Sequence, residues 1–284
     1  MLIGAHVSAA GGANKAIVRA EEIGAECFQI FASSPRMWSA KPVADAVVDK
    51  YAAEMKRAMM GPTVLHGKYL VALGSADPEL LAKSEIALGA DIAAANKLSA
   101  LGVIFHPASH RGQGFEAIID QFAASVRKVL DNEPGDSLLM LETSAGAGDH
   151  IGSSFAELGT LIKAIGNDRV AVCLDTQHVF AAGYNIAVAD TLNAAIDEFD
   201  KEIGIGLLKA VHANDSMREL GSSVDRHENI GDGLIGTAGF TTLMSHEAFK
   251  RVPFYLEVPG TGKSGPDKPN LDRLKAIRSQ VGAG

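Results

Sequence analysis

Short apolar runs punctuate this chain, and five of them end on a histidine or a carboxylate. Residues 103–105 lead into His106, 138–141 into Glu142, 170–174 into Asp175, 207–211 into His212 and 254–256 into Glu257. Runs of this length read as buried strands. A strand that ends on a ligand-type side chain directs it at whatever lies beyond the sheet. Five such strands therefore predict one polar site supplied from many points in the sequence.

Eight strands are predicted in all, at residues 2–7, 26–31, 63–66, 102–106, 138–142, 169–175, 207–212 and 253–257. Segments rich in Ala, Leu, Lys and Glu separate them and predict helices at 12–23, 43–60, 78–101, 115–130, 154–165, 188–203, 238–245 and 271–281, since these residues are good helix formers. Alternation of strand and helix along the whole chain predicts an α/β fold with a parallel sheet. Eight repeats in 284 residues fit one closed (β/α)8 TIM barrel, a single domain over 1–284. In that fold the active site lies at the C-terminal ends of the strands, where the ligand-type residues fall. An open doubly wound sheet, the alternative, gathers its site at one switch point and would not easily converge strands three to eight. Residues 261–270 read as a loop before the last helix and 281–284 as a frayed end. Gly11-Gly12 reads as a turn before the first helix, since no Walker-type motif is present.

Composition narrows the picture. Hydrophobic residues make up 47% but aromatics only 6%, so Ala, Val, Ile and Leu must fill the core. Cys27 and Cys173 both lie inside apolar runs and read as buried, reduced thiols of a cytosolic protein. The opening Met1-Leu2-Ile3-Gly4-Ala5-His6 reads as a mature N-terminus, and no apolar stretch reaches the roughly 18 residues of a membrane helix. The expected location is the cytoplasm. A formal net charge of −8 by itself argues against a nucleic-acid partner.

The chemistry resides in His66, His106, His178, His212 and His227 with Glu142, Asp175, Asp225 and Glu257, all at strand ends or in the loops after them. Histidine nitrogen and carboxylate oxygen are zinc donors where thiolate is absent. Asp175 and His178 stand just past strand six, and Asp225 and His227 share one side of an extended segment. Nine side chains sharing one carboxylate suffice for up to three ions, a number that the spacing leaves open. Each residue also has a plainer reading, the histidines as hydrogen-bonded structural groups and the carboxylates as caps of the next helix. Recurrence at the same place in the fold favours the shared site. His6 reads as a hydrogen-bonding neighbour of a ligand, His110 ranks below the nine, and His150 and His246 read as surface residues.

Gly4-Ala-His-Val-Ser-Ala-Ala-Gly-Gly12, Phe105-His-Pro-Ala-Ser-His110, Val172-Cys-Leu-Asp-Thr-Gln-His178, His212-Ala-Asn-Asp215 and Val224-Asp-Arg-His227 together resemble the endonuclease IV family, the apurinic/apyrimidinic endonucleases of DNA base-excision repair. The resemblance runs from Leu2 to about Glu257, and Asp225-Arg-His227 followed by Gly231-Asp-Gly233 is its most specific part. It implies a TIM barrel with three zinc ions, Mn2+ being admissible at some positions. His66, His106 and Glu142 would hold the first ion. Glu142 would bridge to a second, held by Asp175, His212 and Glu257, and His178, Asp225 and His227 would hold the third. Glu142 and Glu257 would orient or deprotonate the attacking water.

Arg36, Tyr69 and Leu70 match the positions that enter duplex DNA. Lys68, Arg111, Arg218, Arg226 and Lys263 lie in loops on the same face as candidate phosphate contacts. Ser33-Ser34 and Met217 depart from the family pattern, and both departures remove positive charge near the DNA side. The implied substrate is double-stranded DNA with abasic sites, cut by a monomer to leave a 3′-hydroxyl and a 5′-deoxyribose phosphate, with trimming of blocked 3′ ends as a further activity. Three divalent ions would largely offset the net charge. Two other readings stay open, a divalent-metal sugar isomerase or epimerase on a related barrel and a non-catalytic binder of damaged DNA.

Overall fold

The computed structural model describes residues 1–282. Ala283 and Gly284, the last of the predicted frayed end, lie outside them. The chain alternates β1 (Ile3–His6), α1 (Ala13–Glu22), β2 (Phe28–Phe31), α2 (Asp45–Ala58), β3 (Thr63–His66), α3 (Pro78–Lys97), β4 (Gly102–Phe105), α4 (Phe115–Asn132), β5 (Leu138–Glu142), α5 (Phe155–Ile165) and β6 (Val170–Asp175). It continues through α6 (Thr176–Ala182), α7 (Ala189–Glu202), β7 (Leu208–His212), the short strands β8 (Asp215–Ser216) and β9 (His227–Glu228), α8 (Gly236–Ser245), β10 (Phe254–Leu256) and α9 (Lys268–Gln280). Eight parallel strands close in the order β1-β10-β7-β6-β5-β4-β3-β2, with β8 and β9 paired antiparallel outside the barrel.

Every predicted strand and helix forms, and the local chemistry explains their bounds. Asp77 caps α3 by accepting from the Glu79 and Leu80 N–H groups, with Pro78 in the first turn. The helix stops at Lys97, short of the predicted 101, because Ser99 turns left-handed at φ 50°. Helix α9 starts at Lys268 and not 271, because Asp267 accepts from the Asn270 N–H and caps it. Two features were not predicted, helix α6 and the β8–β9 hairpin.

The pleat divides the core in two. Cys27, Val64, Ile104, Met140, Ala171, Cys173, Ala210 and Tyr255 point inward and plug the barrel. Their strand neighbours Phe28, Leu65, Val103, Leu139, Leu141, Val172 and Val211 point outward into the layer beneath the helices. Gly4 is required where β1 passes β2, since a Cβ there would lie 1.9 Å from the Cys27 carbonyl oxygen.

The ends of the chain are tied at the bottom of the barrel. Glu26 Oε2 accepts from the Ile3 N–H at 2.9 Å and from Arg278 Nη1 at 2.6 Å, while Arg278 Nη2 donates to Oε1 at 2.9 Å. Burial opposes ionisation of Glu26, but the Arg278 guanidinium and the Ile3 N–H outweigh it and hold its pKa below the ordinary value. Its stabilisation is thus complete above the unfolded pKa of about 4.3 and fades as pH falls through the lower folded value. Glu26→Gln should cost about 2 kcal/mol near neutrality, lowering the melting temperature by roughly 5 °C. The gap between variant and wild type should narrow below about pH 4, and thermal melts in which it stays constant into acid would contradict this account.

Candidate metal centre

The same period of two that fills the barrel builds its top. Two residues beyond each inward plug residue comes the next inward position. Val64 is followed by His66, Ile104 by His106, Met140 by Glu142, Cys173 by Asp175, Ala210 by His212 and Tyr255 by Glu257. Six of the nine predicted ligands thus cap the apolar plug as one polar layer.

Glu142 lies at the centre of that layer and is fully buried. Its Oε1 is 2.9 Å from His212 Nδ1 and 3.4 Å from His178 Nδ1, and its Oε2 is 3.4 Å from both His66 Nε2 and His106 Nε2. Glu257 Oε2 lies 3.3 Å from His212 Nδ1, and Asp175 Oδ2 lies 3.7 Å from His227 Nε2. Donor atoms of His66, His106 and Glu142 fall within 4.8 Å of one another, as do those of Asp175, His178 and His227, and those of Glu142, Asp175, His212 and Glu257. Glu142 Oε2 and His227 Nε2 are buried with no hydrogen-bond partner. Orphaned donors aimed into a shared space are what a cation would satisfy, so these residues fit divalent metal.

The remaining ligands come from the unpredicted elements. Asp175 caps α6, its Oδ1 accepting from the Gln177 and His178 N–H groups at 2.7 and 3.0 Å, which leaves Oδ2 facing the site. Asp175 therefore caps the helix while keeping an oxygen on the side of the other candidate ligands. The first turn of α6 brings in His178. The hairpin returns Asp225 and His227, and Asp225 carboxylate oxygens lie 3.4 Å from His178 Nε2 and from His227 Nε2. Asp215 anchors that hairpin by accepting N–H groups from Ser216, Gly231, Gly233, Ile235 and Gly236.

Residues outside the predicted set orient the ligands. Nδ1 of His66 donates to the Gly67 carbonyl at 2.8 Å and Nδ1 of His178 to the Thr143 carbonyl at 2.7 Å. Asn214 Nδ2 donates to Asp175 Oδ2 at 2.7 Å. Buried Gln29 Nε2 donates to Glu257 Oε1 at 2.6 Å. His6, read from the sequence as a hydrogen-bonding neighbour of a ligand, has Nδ1 2.9 Å from Gln29 Nε2, from which it accepts, and 3.3 Å from Glu257 Oε1. Gln29 escaped the sequence reading although it is a polar residue at the inward position two after Cys27, which was its one signal.

The charges sustain one another. Burial works against the His178 imidazolium, but Asp175, Asp225 and Glu142 raise its pKa to about 10. Burial likewise opposes the charge on Asp225, yet His178 and His227 bring its pKa to about 2. Glu142 is held well below the carboxylate range against complete burial by His106, His212 and His66, and His212 is correspondingly raised.

Two clefts open above the layer. One of about 800 Å3 is lined by Ser33, Ser34, Tyr69, His227, Glu257 and Lys263 among others, and one of about 640 Å3 by Trp38, Leu70, His106, Arg111, Asp225 and their neighbours. Tyr69 borders both; its ring sits edge-on to His66 and Phe31, with centroids 5.6 and 5.4 Å away. Arg36 is exposed in the loop between Ser34 and Trp38, and Leu70 lies half-buried beside Tyr69. Arg226 is exposed, with Nη1 on the Asp225 carbonyl.

Two expectations need correction. Lys68 is not a free phosphate contact, because it is buried and its Nζ lies 2.7 Å from Asp91 Oδ1. His150 is exposed as predicted, but it lines the smaller cleft and so belongs to the neighbourhood of the site.

Comparison with known proteins places this geometry. A family profile described as xylose isomerase-like TIM barrel matches residues 17–280. A probable endonuclease 4 from Halothermothrix orenii is 39% identical, over 94% of this chain and 96% of its own. One from Chloroflexus aggregans is 36% identical over 96% of each. The crystal structure of endonuclease IV from Thermus thermophilus superposes with a TM-score of 0.87 at 32% identity, covering 99% of this chain and 100% of that one. A D-tagatose 3-epimerase-like protein shares the fold, with a TM-score of 0.72 at 16% identity over 99% of this chain and 97% of its own. On full-length similarity at this level, the chain belongs to the endonuclease IV family of xylose isomerase-like TIM barrels.

Proposed function

We propose that this chain, acting as one domain over residues 1–284, cuts the phosphodiester bond 5′ of abasic sites in double-stranded DNA, leaving a 3′-hydroxyl and a 5′-deoxyribose phosphate. It also trims blocked 3′ ends, and it works as a monomer in the cytoplasm, on the nucleoid. Its metal is Zn2+, three ions per chain, with Mn2+ tolerated at some positions. The observation that carries this reading is the set of three ligand groups joined through Glu142 and Asp175 at the floor of an open cleft. His66, His106 and Glu142 would hold one ion, Glu142, Asp175, His212 and Glu257 a second, and His178 and His227 a third together with Asp225, whose oxygens lie 3.4 Å from both. Bound there, zinc supplies an acidified water and neutralises charge on the phosphoryl and leaving oxygens.

The chain itself does the rest. Glu257 faces both clefts while Glu142 is sealed beneath them. Glu257 from the cleft side and Glu142 from beneath therefore orient or deprotonate the attacking water. As the new bond to phosphorus forms, the bond to the 3′ oxygen breaks and that oxygen takes up a proton from solvent in the open cleft. No Ser or Cys nucleophile is needed. Exposed Tyr69 and half-buried Leu70, in the turn after β3, enter the duplex with Arg36, and Arg226 contacts phosphate. A nucleotide that lacks its base costs little to unstack, which favours abasic sites.

The deciding experiment is incision of a duplex with one tetrahydrofuran abasic analogue by metal-replete protein. Chelation should abolish cutting, and Glu142→Ala should lower kcat by at least about 10²-fold. Absence of incision by the replete protein would refute the nuclease reading, and turnover of a ketose in its place would favour sugar chemistry. The loop ligands His178, Asp225 and His227 weigh against that outcome.

Zinc uptake should also release protons. His178, its pKa raised to about 10 by Asp175, Asp225 and Glu142 against burial, holds its extra proton in chelated protein at about pH 8, and coordination requires neutral imidazole. Zinc affinity should therefore fall as pH falls. A pH indicator in weakly buffered solution reads the release, and uptake without proton release would contradict this protonation state.

A further inference from the structure

We infer that Gln29 is a positioning residue that selects which nitrogen His212 presents to the metal centre and locks Glu257 beside it. This inference rests on the reading of His212 and Glu257 as ligands.

His212 differs from its neighbours. Three of the site's histidines place Nδ1 on a main-chain carbonyl, His66 on Gly67 at 2.8 Å, His178 on Thr143 at 2.7 Å and His227 on Glu257 at 3.3 Å. A carbonyl can only accept, so Nδ1 carries a proton in each, and Nε2 is the nitrogen left to present to a cation. His212 is reversed. Its Nδ1 faces Glu142 Oε1 at 2.9 Å and Glu257 Oε2 at 3.3 Å. Its Nε2 meets no main-chain carbonyl but a side chain, Gln29 Oε1, at 2.8 Å.

The rest of the Gln29 amide is also committed. Its Nε2 lies 2.6 Å from Glu257 Oε1 and 2.9 Å from His6 Nδ1. The two amide hydrogens satisfy these two acceptors, which makes His6 Nδ1 unprotonated. With both hydrogens engaged on that side, the oxygen must face His212 and accept its Nε2–H. A flipped amide would set its oxygen against Glu257 Oε1 at 2.6 Å, two acceptors with no hydrogen between them. The Glu257 acceptor therefore dictates the amide orientation, and the amide orientation dictates the His212 tautomer. Gln29 is fully buried on β2, a strand that carries none of the nine ligands itself and is held between β1 and β3.

In zinc-loaded, 15N-labelled protein, long-range 1H–15N correlation should show the His212 proton on Nε2 while His66, His178 and His227 carry theirs on Nδ1. In Gln29→Leu the His212 Nε2 proton should lose its hydrogen-bonded downfield position. Zinc affinity against a competing chelator should drop about 10–100-fold for one ion, and kcat on abasic duplex should fall with KM nearly unchanged. Gln29→Glu retains an acceptor for His212 and should keep the Nε2 proton signature while still losing zinc affinity through crowding against Glu257. A His212 proton on Nδ1 in the wild type would overturn the inference, as would a Gln29→Leu protein with wild-type proton shifts and zinc affinity. Failure of the wild type to take up zinc would instead sink the metal reading itself, and this inference with it.

Discussion

A carboxylate sealed from solvent at the top of the barrel sets the terms for the rest of the molecule. Burying an ionised Glu142 is tolerable only if positive charge and donors surround it. Imidazoles do so from β3, from the turn after β4, from α6 and from β7. Barrel closure makes this convergence possible. Strands β3 and β7 are four steps apart through β4, β5 and β6, and at about 4.8 Å per step a flat sheet would hold them roughly 19 Å apart. In the closed barrel the rings of His66 and His212 stack with centroids 5.9 Å apart. The curvature of the sheet is thus part of the site, and an apolar plug of Val64, Ile104, Met140 and Ala210 directly beneath keeps that curvature filled.

The barrel was legible because it is written in a period of two that repeats on strand after strand. Each of the six ligand-type residues at strand ends stands two places beyond an inward apolar residue, so the same alternation that predicts a strand predicts which way its last side chain points. What escaped the reading lacks such a period. Helix α6 spans only Thr176–Ala182, and its buried face begins with Thr, Gln and His in place of an apolar stripe. Strands β8 and β9 contain two residues each, held by the anchoring of Asp215 and not by alternation. The role of Lys68 depends on Asp91, which lies 23 positions away on another element, and local sequence carries no sign of such a pair. Gln29 was hidden for the converse reason, as one polar residue inside an apolar run.

These less legible parts carry three of the nine ligand-type residues. A D-tagatose 3-epimerase-like protein shares the architecture at 16% identity, so the barrel alone does not specify chemistry. The additional ligands His178, Asp225 and His227 depend on α6 and on the hairpin, and the hairpin depends on Asp215. Gly233 lies so close to Asp215 that a Cβ would stand 2.5 Å from Oδ1. Gly231-Asp-Gly233 contributes nothing to the ligand set, yet its backbone N–H groups hold the carboxylate that fixes where Asp225 and His227 stand.

The distribution of charge follows from the same arrangement. A formal charge of −8 would repel a polyanion if it were spread over the face that meets it. Here Glu142 and Asp175 are buried and already matched by imidazoles, so they add little to the outer field. Lys68 is matched internally by Asp91 and adds little as well. The exposed cations bordering the clefts reduce to a few, with Lys263 on one side and Arg111 on the other, and Arg36 and Arg226 on adjoining loops. With so few, the rim alone cannot supply strong attraction to phosphate. The attraction has to come from the floor of the cleft, where divalent cations would exceed the charge of their own ligands. On the proposed reading, the cations that perform the chemistry would therefore also supply most of the attraction to phosphate.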